Sequence, residues 1–127
     1  MKPKVVTAWH EAVAKSDLTA FEALVNDDAV FESPALHKPQ VGKAMVSMYL
    51  RGALLVLNNG TFRYVEEWIS ERSAVLEFEA TVDGMHLNGV DIIRWDESDR
   101  VTSFKVMIRP FKGLGALMAA MKKLLDG

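Results

Sequence analysis

From Phe62 to Arg109 the side chains alternate, and the chain is interrupted only by short polar turns. Phe62, Tyr64, Glu66 and Trp68 share one side of a strand. Leu76, Phe78, Ala80 and Val82 share one side of the next, with Glu77, Glu79 and Thr81 opposite. Asp83-Gly84 reads as a tight hairpin turn, since both positions tolerate positive φ. A third strand carries Met85, Leu87, Ile93 and Trp95 on one side, and a fourth carries Phe104, Val106 and Ile108. Period-two alternation over this length commits about a third of the chain to an antiparallel sheet with one apolar face. That face holds one anomaly. Asp91 stands on the same side as Met85, Leu87, Ile93 and Trp95. A carboxylate among large apolar groups resists ionisation, and groups so placed concentrate at functional sites.

The first half of the chain is helical in pattern. Val5, Val6, Trp9 and Val13 recur at three and four residues, predicting an amphipathic helix over 3–15. Ser16 or Asp17 caps a second helix whose stripe is Leu18, Phe21, Leu24 and Val25, and Asn26-Asp27-Asp28 stops it. Ala29 to Ser33 forms a short strand ended by Pro34, and a loop with His37 leads to a third helix over 41–57. There Met45, Met48, Tyr49, Gly52, Leu55 and Val56 fall on one face, but Val46, Leu50, Ala53, Leu54 and Leu57 cover most of the rest. After Pro110 a final helix carries the stripe Leu114, Leu117, Met118, Met121, Leu124 and Leu125, with Gly113 and Gly115 loosening its first turn. Helices followed by a run of strands argue an α+β fold, a curved and mostly antiparallel sheet with helices on one face, in one domain over 1–127.

Several function classes are excluded or disfavoured. Net charge is −2 with acids and bases interspersed, so nothing marks a nucleic-acid surface. The chain has no cysteine, which removes disulfides and thiolate metal sites and suits the cytoplasm. No apolar run is long enough to span a bilayer. His10, His37 and His86 lack ligand spacing to one another or to an acid, so no metal is expected. The sequence calls for no cofactor. The outer sheet face mixes Glu77, Glu79, Lys105 and Arg109 with Val90, Ile92 and Met107, a blend that reads as a homodimer interface with cross-strand ion pairs.

Three local patterns carry a family resemblance over nearly the whole chain. SDLTAFEALVNDDA, from Ser16, is similar to the second helix of the NTF2-like superfamily. Phe31-Glu32-Ser33-Pro34 followed by Pro39 and Gly42 is similar to the segment leading into its third helix. Asp91-Ile92-Ile93-Arg94-Trp95 followed by Arg100-Val101 resembles its paired central strands. The chain thus resembles the cone-shaped fold shared by ketosteroid isomerases and SnoaL-like polyketide cyclases.

The resemblance implies that Asp91 stands where the isomerases keep a protonated aspartic acid, Trp9 where they keep an oxyanion tyrosine, and Ser33 where they keep the catalytic base. An indole donates one hydrogen bond, and a serine alone is no base at neutral pH. Steroid isomerisation by that mechanism is therefore not expected. Tyr49, Leu76, Phe78, Ala80, Phe104, Val106 and Ile108 fall at pocket-lining positions, which implies a small hydrophobic ligand. SnoaL-like cyclases need only an aspartate acting as acid and base in an apolar cavity, a role open to Asp91. The alternative is a binding module without turnover, in which Asp91 pairs with the Trp9 indole or the Tyr49 hydroxyl. Glu32 is expected to point outward unless a bulge turns it in. Glu66 stands near the cavity mouth if its face is the inner one, and at a solvated strand end otherwise. His37 is expected in a solvated loop, with the cavity rim as the alternative.

Overall fold

The computed structural model describes residues 2–126. Helices α1 (Lys4–Lys15) and α2 (Leu18–Leu24) lead into strand β1 (Val25–Glu32). Strand β2 (Gln40–Val41) precedes helix α3 (Lys43–Leu57). Four long strands follow, β3 (Arg63–Ile69), β4 (Ser73–Val82), β5 (Met85–Trp95) and β6 (Val101–Arg109), and helix α4 (Phe111–Asp126) closes the order. The strands form one curved, unclosed sheet in the order β2-β1-β6-β5-β4-β3. All neighbours are antiparallel except β1 and β6, which run parallel. The fold class read from the pattern therefore holds, with one parallel pair inserted.

The junction between α1 and α2 uses both residues named as caps. Ser16 takes the left-handed conformation that ends α1, its N–H reaching the carbonyls of Ala12 and Val13. Asp17 begins α2, its carboxylate accepting from the Ala20 N–H at 3.1 Å. Helix α2 ends at Leu24, ahead of the Asn26-Asp27-Asp28 triplet expected to stop it, and Val25, read as part of its stripe, opens β1. Asn26, Asp27 and Asp28 lie within β1, where the pairing to β6 shifts register between Val25 and Val30. The Asn26 side chain accepts from the Asp28 N–H at 2.9 Å, so the triplet makes a local bulge rather than a terminator.

Helix α3 also differs from its reading. It buries Val46, Leu50, Ala53 and Leu57, whereas Met48 is 51% and Leu55 63% exposed. The stripe facing the sheet is the one taken as secondary. Gly52 and Tyr49 face instead toward α4. In α4, Leu117 and Met121 are buried and Leu124 is half exposed, while the Leu125 side chain lies outside the described residues. Gly113 has a packing role rather than loosening the turn. A Cβ there would sit 2.8 Å from the His86 carbonyl oxygen and 2.9 Å from Leu87 Cβ, so glycine lets α4 lie directly on β5.

Strand β4 shows unbroken alternation, with Ala74, Leu76, Phe78, Ala80 and Val82 inward. Strand β5 does the same from Leu87 to Trp95. Its inward Gly89 has Phe78 on one side and Ile108 on the other. A Cβ at Gly89 would lie 2.6 Å from Phe78 Cζ and 2.7 Å from the Met107 carbonyl oxygen. Strand β3 breaks alternation. Tyr64 pairs with Phe78 but Glu66 pairs with Glu77, leaving Val65 as an extra residue. This bulge sends Glu66 and Trp68 outward and turns Glu67 to the helical side.

Candidate functional site

The inner face of the sheet and helices α1, α2 and α3 enclose a cavity of about 40 Å³. Its wall is aromatic and aliphatic, from Trp9, Phe21, Tyr49, Phe62, Phe78, Phe104, Leu50, Leu54 and Val106 among others. Trp9 packs edge-on against Phe21 at 4.9 Å between ring centroids and tilts on Phe104 at 5.0 Å. Phe104 stacks in turn on Phe31, and Phe31 on Tyr49 at 4.1 Å. This continuous aromatic cluster fixes the cavity walls.

Asp91 is the one buried charged side chain among the described residues, and it lines this cavity. Strand pairing puts it between Leu76 of β4 and Val106 of β6. The Tyr64 hydroxyl donates to Asp91 Oδ2 at 2.8 Å and accepts from the Trp9 indole N–H at 3.0 Å. The result is a linear relay, Trp9 to Tyr64 to Asp91, inside an apolar shell. Burial pushes the Asp91 carboxyl up to about 7, with the Tyr64 and Trp9 donors working in the opposite direction. Burial, then the nearby Asp91 charge, raises the Tyr64 and Tyr49 phenols as well, so both hydroxyls stay protonated and available as donors. Neither shift needs a metal. Among the described residues no cluster of three or more metal-binding side chains occurs.

Tyr64 is the residue that sequence reasoning missed as a partner for Asp91. Trp9 reaches the relay through Tyr64, and Tyr49 makes no hydrogen bond to Asp91. The available signal was the inner face of β4, because Tyr64 pairs with Phe78 and lies diagonal to Asp91 across that strand. Of the other expected lining residues, Phe78, Phe104 and Val106 reach the cavity. Leu76 and Ala80 are buried in the same face without lining it, and Ile108 packs against the core beside Gly89. They sit on the correct face at the wrong depth. Ser33 is also not at the cavity. Its hydroxyl accepts from the Ala35 N–H at 3.0 Å in the turn after β1, and it lines a separate groove between α3 and α4.

The remaining acids resolve clearly. Glu32 points out of the cone, 3.7 Å from Lys105. Glu66 is exposed on the outer face, and His37 is exposed in its loop. Glu67, turned inward by the bulge, joins His10 Nε2 at 2.7 Å and Lys2 Nζ at 2.8 Å. His10 meets the Tyr64 ring edge-on at 4.8 Å, so this ion cluster sits directly behind the tyrosine that serves Asp91.

A profile of the SnoaL-like domain matches residues 6–104. Among solved structures, a steroid delta-isomerase from Pseudomonas aeruginosa is similar at 41% identity, covering 96% of this chain and 89% of that one, with a TM-score of 0.90. A bacterial protein with a cystatin-like fold from Silicibacter pomeroyi DSS-3 is similar at 30% identity, covering 97% and 86%, with a TM-score of 0.88. An NTF2-like protein from Cytophaga hutchinsonii ATCC 33406 shares the fold at 15% identity, covering 87% and 96%, with a TM-score of 0.64. The curated proteins give no match.

Proposed function

The chain belongs to the SnoaL-like family of NTF2-like folds, and on that premise we propose that it binds a small hydrophobic carbonyl compound and moves a proton on it through Asp91. The observation that carries this reading is the buried, raised Asp91 carboxyl, which accepts from Tyr64 in an apolar cavity where Tyr49 and Trp9 stand as further donors. A group poised near neutrality accepts and returns a proton with little cost in either direction.

The chemistry balances with one carboxylate. Ionised Asp91 takes the proton from the carbon beside the carbonyl, and the electron pair left behind moves to the carbonyl oxygen as an enolate. Neutral Asp91 no longer needs the Tyr64 hydrogen, which is then free to turn toward that oxygen, with Tyr49 beside it. Asp91 returns its proton at another carbon in an isomerisation. In a cyclisation the enolate carbon attacks a second carbonyl of the same molecule, and the proton goes to the new alkoxide. Trp9 and Tyr64 would orient the acid, while Phe78, Phe104 and Val106 exclude water.

The test is Asp91→Asn against a panel of apolar ketones and diketones, following solvent deuterium uptake at the α-carbon. Exchange should fall at least 100-fold while the fold persists. Equal exchange in both proteins rejects the catalytic role. A second reading, a binding module without turnover, is favoured by Asp91 being the one buried charged side chain among the described residues, which leaves it without a companion base. In that case wild type binds these ketones and exchanges none of them. The same picture includes a homodimer through the outer sheet face, where Trp68 is 51% and Met107 53% exposed. Sedimentation equilibrium tests it.

A further inference from the structure

The cavity at Asp91 is far smaller than an ordinary ligand site, which runs to roughly 300–1,000 Å³, so a ligand reaching Asp91 must keep most of its bulk elsewhere. Two spaces adjoin the cavity; the one that shares Tyr64 with it is lined by Lys2, His10, Glu11, Glu66 and Glu67, too charged for an apolar body, which leaves the other. Between α3 and α4 lies an apolar groove of about 460 Å³, lined by Leu36, Met45, Met48, Gly52, Met118 and Met121. Tyr49 lines both the groove and the cavity. Its ring leans on Phe31, and among the described residues its hydroxyl has no hydrogen-bond partner, although it lies close enough to feel the Asp91 charge. The residue is only partly buried, so that hydroxyl is reachable by solvent or by a ligand. Asn58, which also lines the cavity, donates to the Val13 carbonyl at 3.0 Å and to Ser16 Oγ at 2.6 Å, which ties the end of α3 to the end of α1.

We propose that Tyr49 is a gate between two compartments of one site, with the groove holding the long apolar body of a ketone whose carbonyl passes the Tyr49 ring to reach Asp91. The flexible methionines of the groove fit an unbranched or irregular apolar chain better than a rigid, hydrogen-bonded one. Glycine at position 52 keeps the groove floor open, since a Cβ there would already meet Met121 Cε at 3.1 Å. This inference rests on the reading of Asp91 given above, and the following experiment separates the two.

2-Undecanone and 2-butanone are titrated into the full chain while the Trp9 indole N–H signal is followed by NMR, which gives both affinity and exchange rate. Wild type should bind the long ketone at least 10-fold more tightly than the short one. Met48→Lys, at a half-exposed position where the fold tolerates charge, should abolish that preference and leave 2-butanone unchanged. Tyr49→Ala should speed exchange of both ketones at least 10-fold. The proposal is overturned if wild type binds neither ketone or shows no preference for chain length. It is equally overturned if Met48→Lys has no effect, or if Asn58→Ala rather than Tyr49→Ala speeds exchange. Asp91→Asn that still exchanges the α-hydrogens of both ketones with solvent deuterium as wild type does would reject the role of Asp91 and leave the gate standing.

Discussion

Two carboxylates flank the same tyrosine and behave in opposite ways. Asp91 takes the Tyr64 hydroxyl on the cavity side, and Glu67 sits beyond His10, whose ring touches the other side of Tyr64. Burial pushes Asp91 up to about 7. The Lys2 ammonium, helped by His10 and opposed by partial burial, holds Glu67 below the usual carboxylate range. Both are on the inner side of the sheet, so the face of a strand does not decide what an acid does. The deciding factor is whether the neighbours are rings or cations.

The largest break in that contrast comes from removing the buried charge. Asp91 binds its proton more tightly folded than unfolded, so stability should fall as pH rises from about 4 to about 7 and then level off. Asp91→Asn should abolish that slope. At pH 8 it should raise stability by up to ~4 kcal/mol, an upper bound because water penetration relaxes a buried charge; urea unfolding at pH 5 and pH 8 measures both effects. Trp9→Phe should cost about 2 kcal/mol, since it removes the indole donor and core volume together, and more above pH 7, where the indole supports ionised Asp91; a lower thermal midpoint reads it out. Tyr64→Phe keeps the ring and should cost roughly 1–2 kcal/mol. Its sharper signature is the loss of a donor that lowers Asp91, so the carboxyl titration followed by ¹³C NMR should move above its wild-type position. Glu67→Gln should be the smallest change, under about 0.5 kcal/mol and screened by salt. The sign is opposite to that of Asp91. Glu67 supports the fold when ionised and loses that effect as the medium turns acid, so the variant should flatten only the acid limb.

The contrast also shows where the sequence was readable. Alternation in β4 and β5 placed Asp91 on the buried face because neither strand slips its frame between Leu76 and Trp95. In β3 a single extra residue, Val65, exchanged the expected positions of Glu66 and Glu67 and detached Trp68 from Tyr64. Hydrophobic pattern has no marker for such a bulge when the residues beyond it are mixed in polarity. Helix α3 failed differently, because two apolar stripes compete and only the sheet below decides which is buried. The lining set came from the family resemblance, and what its strand residues share is the inner face. Leu76 and Ile108 satisfy that criterion, yet position along the cone axis depends on sheet curvature, which no single strand encodes.

Gly89 gives the sheet an unusual kind of control over the site. Gly89 does not line the cavity, yet the ring of Phe78, which does, occupies the space where the glycine's side chain would be. The size of the chamber is thus set by an atom that is missing from its outer wall. A methyl added there would meet the Phe78 ring at 2.6 Å and the Met107 carbonyl oxygen at 2.7 Å, so the ring and the β5–β6 pairing would both have to shift, while every group on the chamber surface kept its identity. The room in front of Asp91 therefore depends on a position that a catalogue of lining residues would never include.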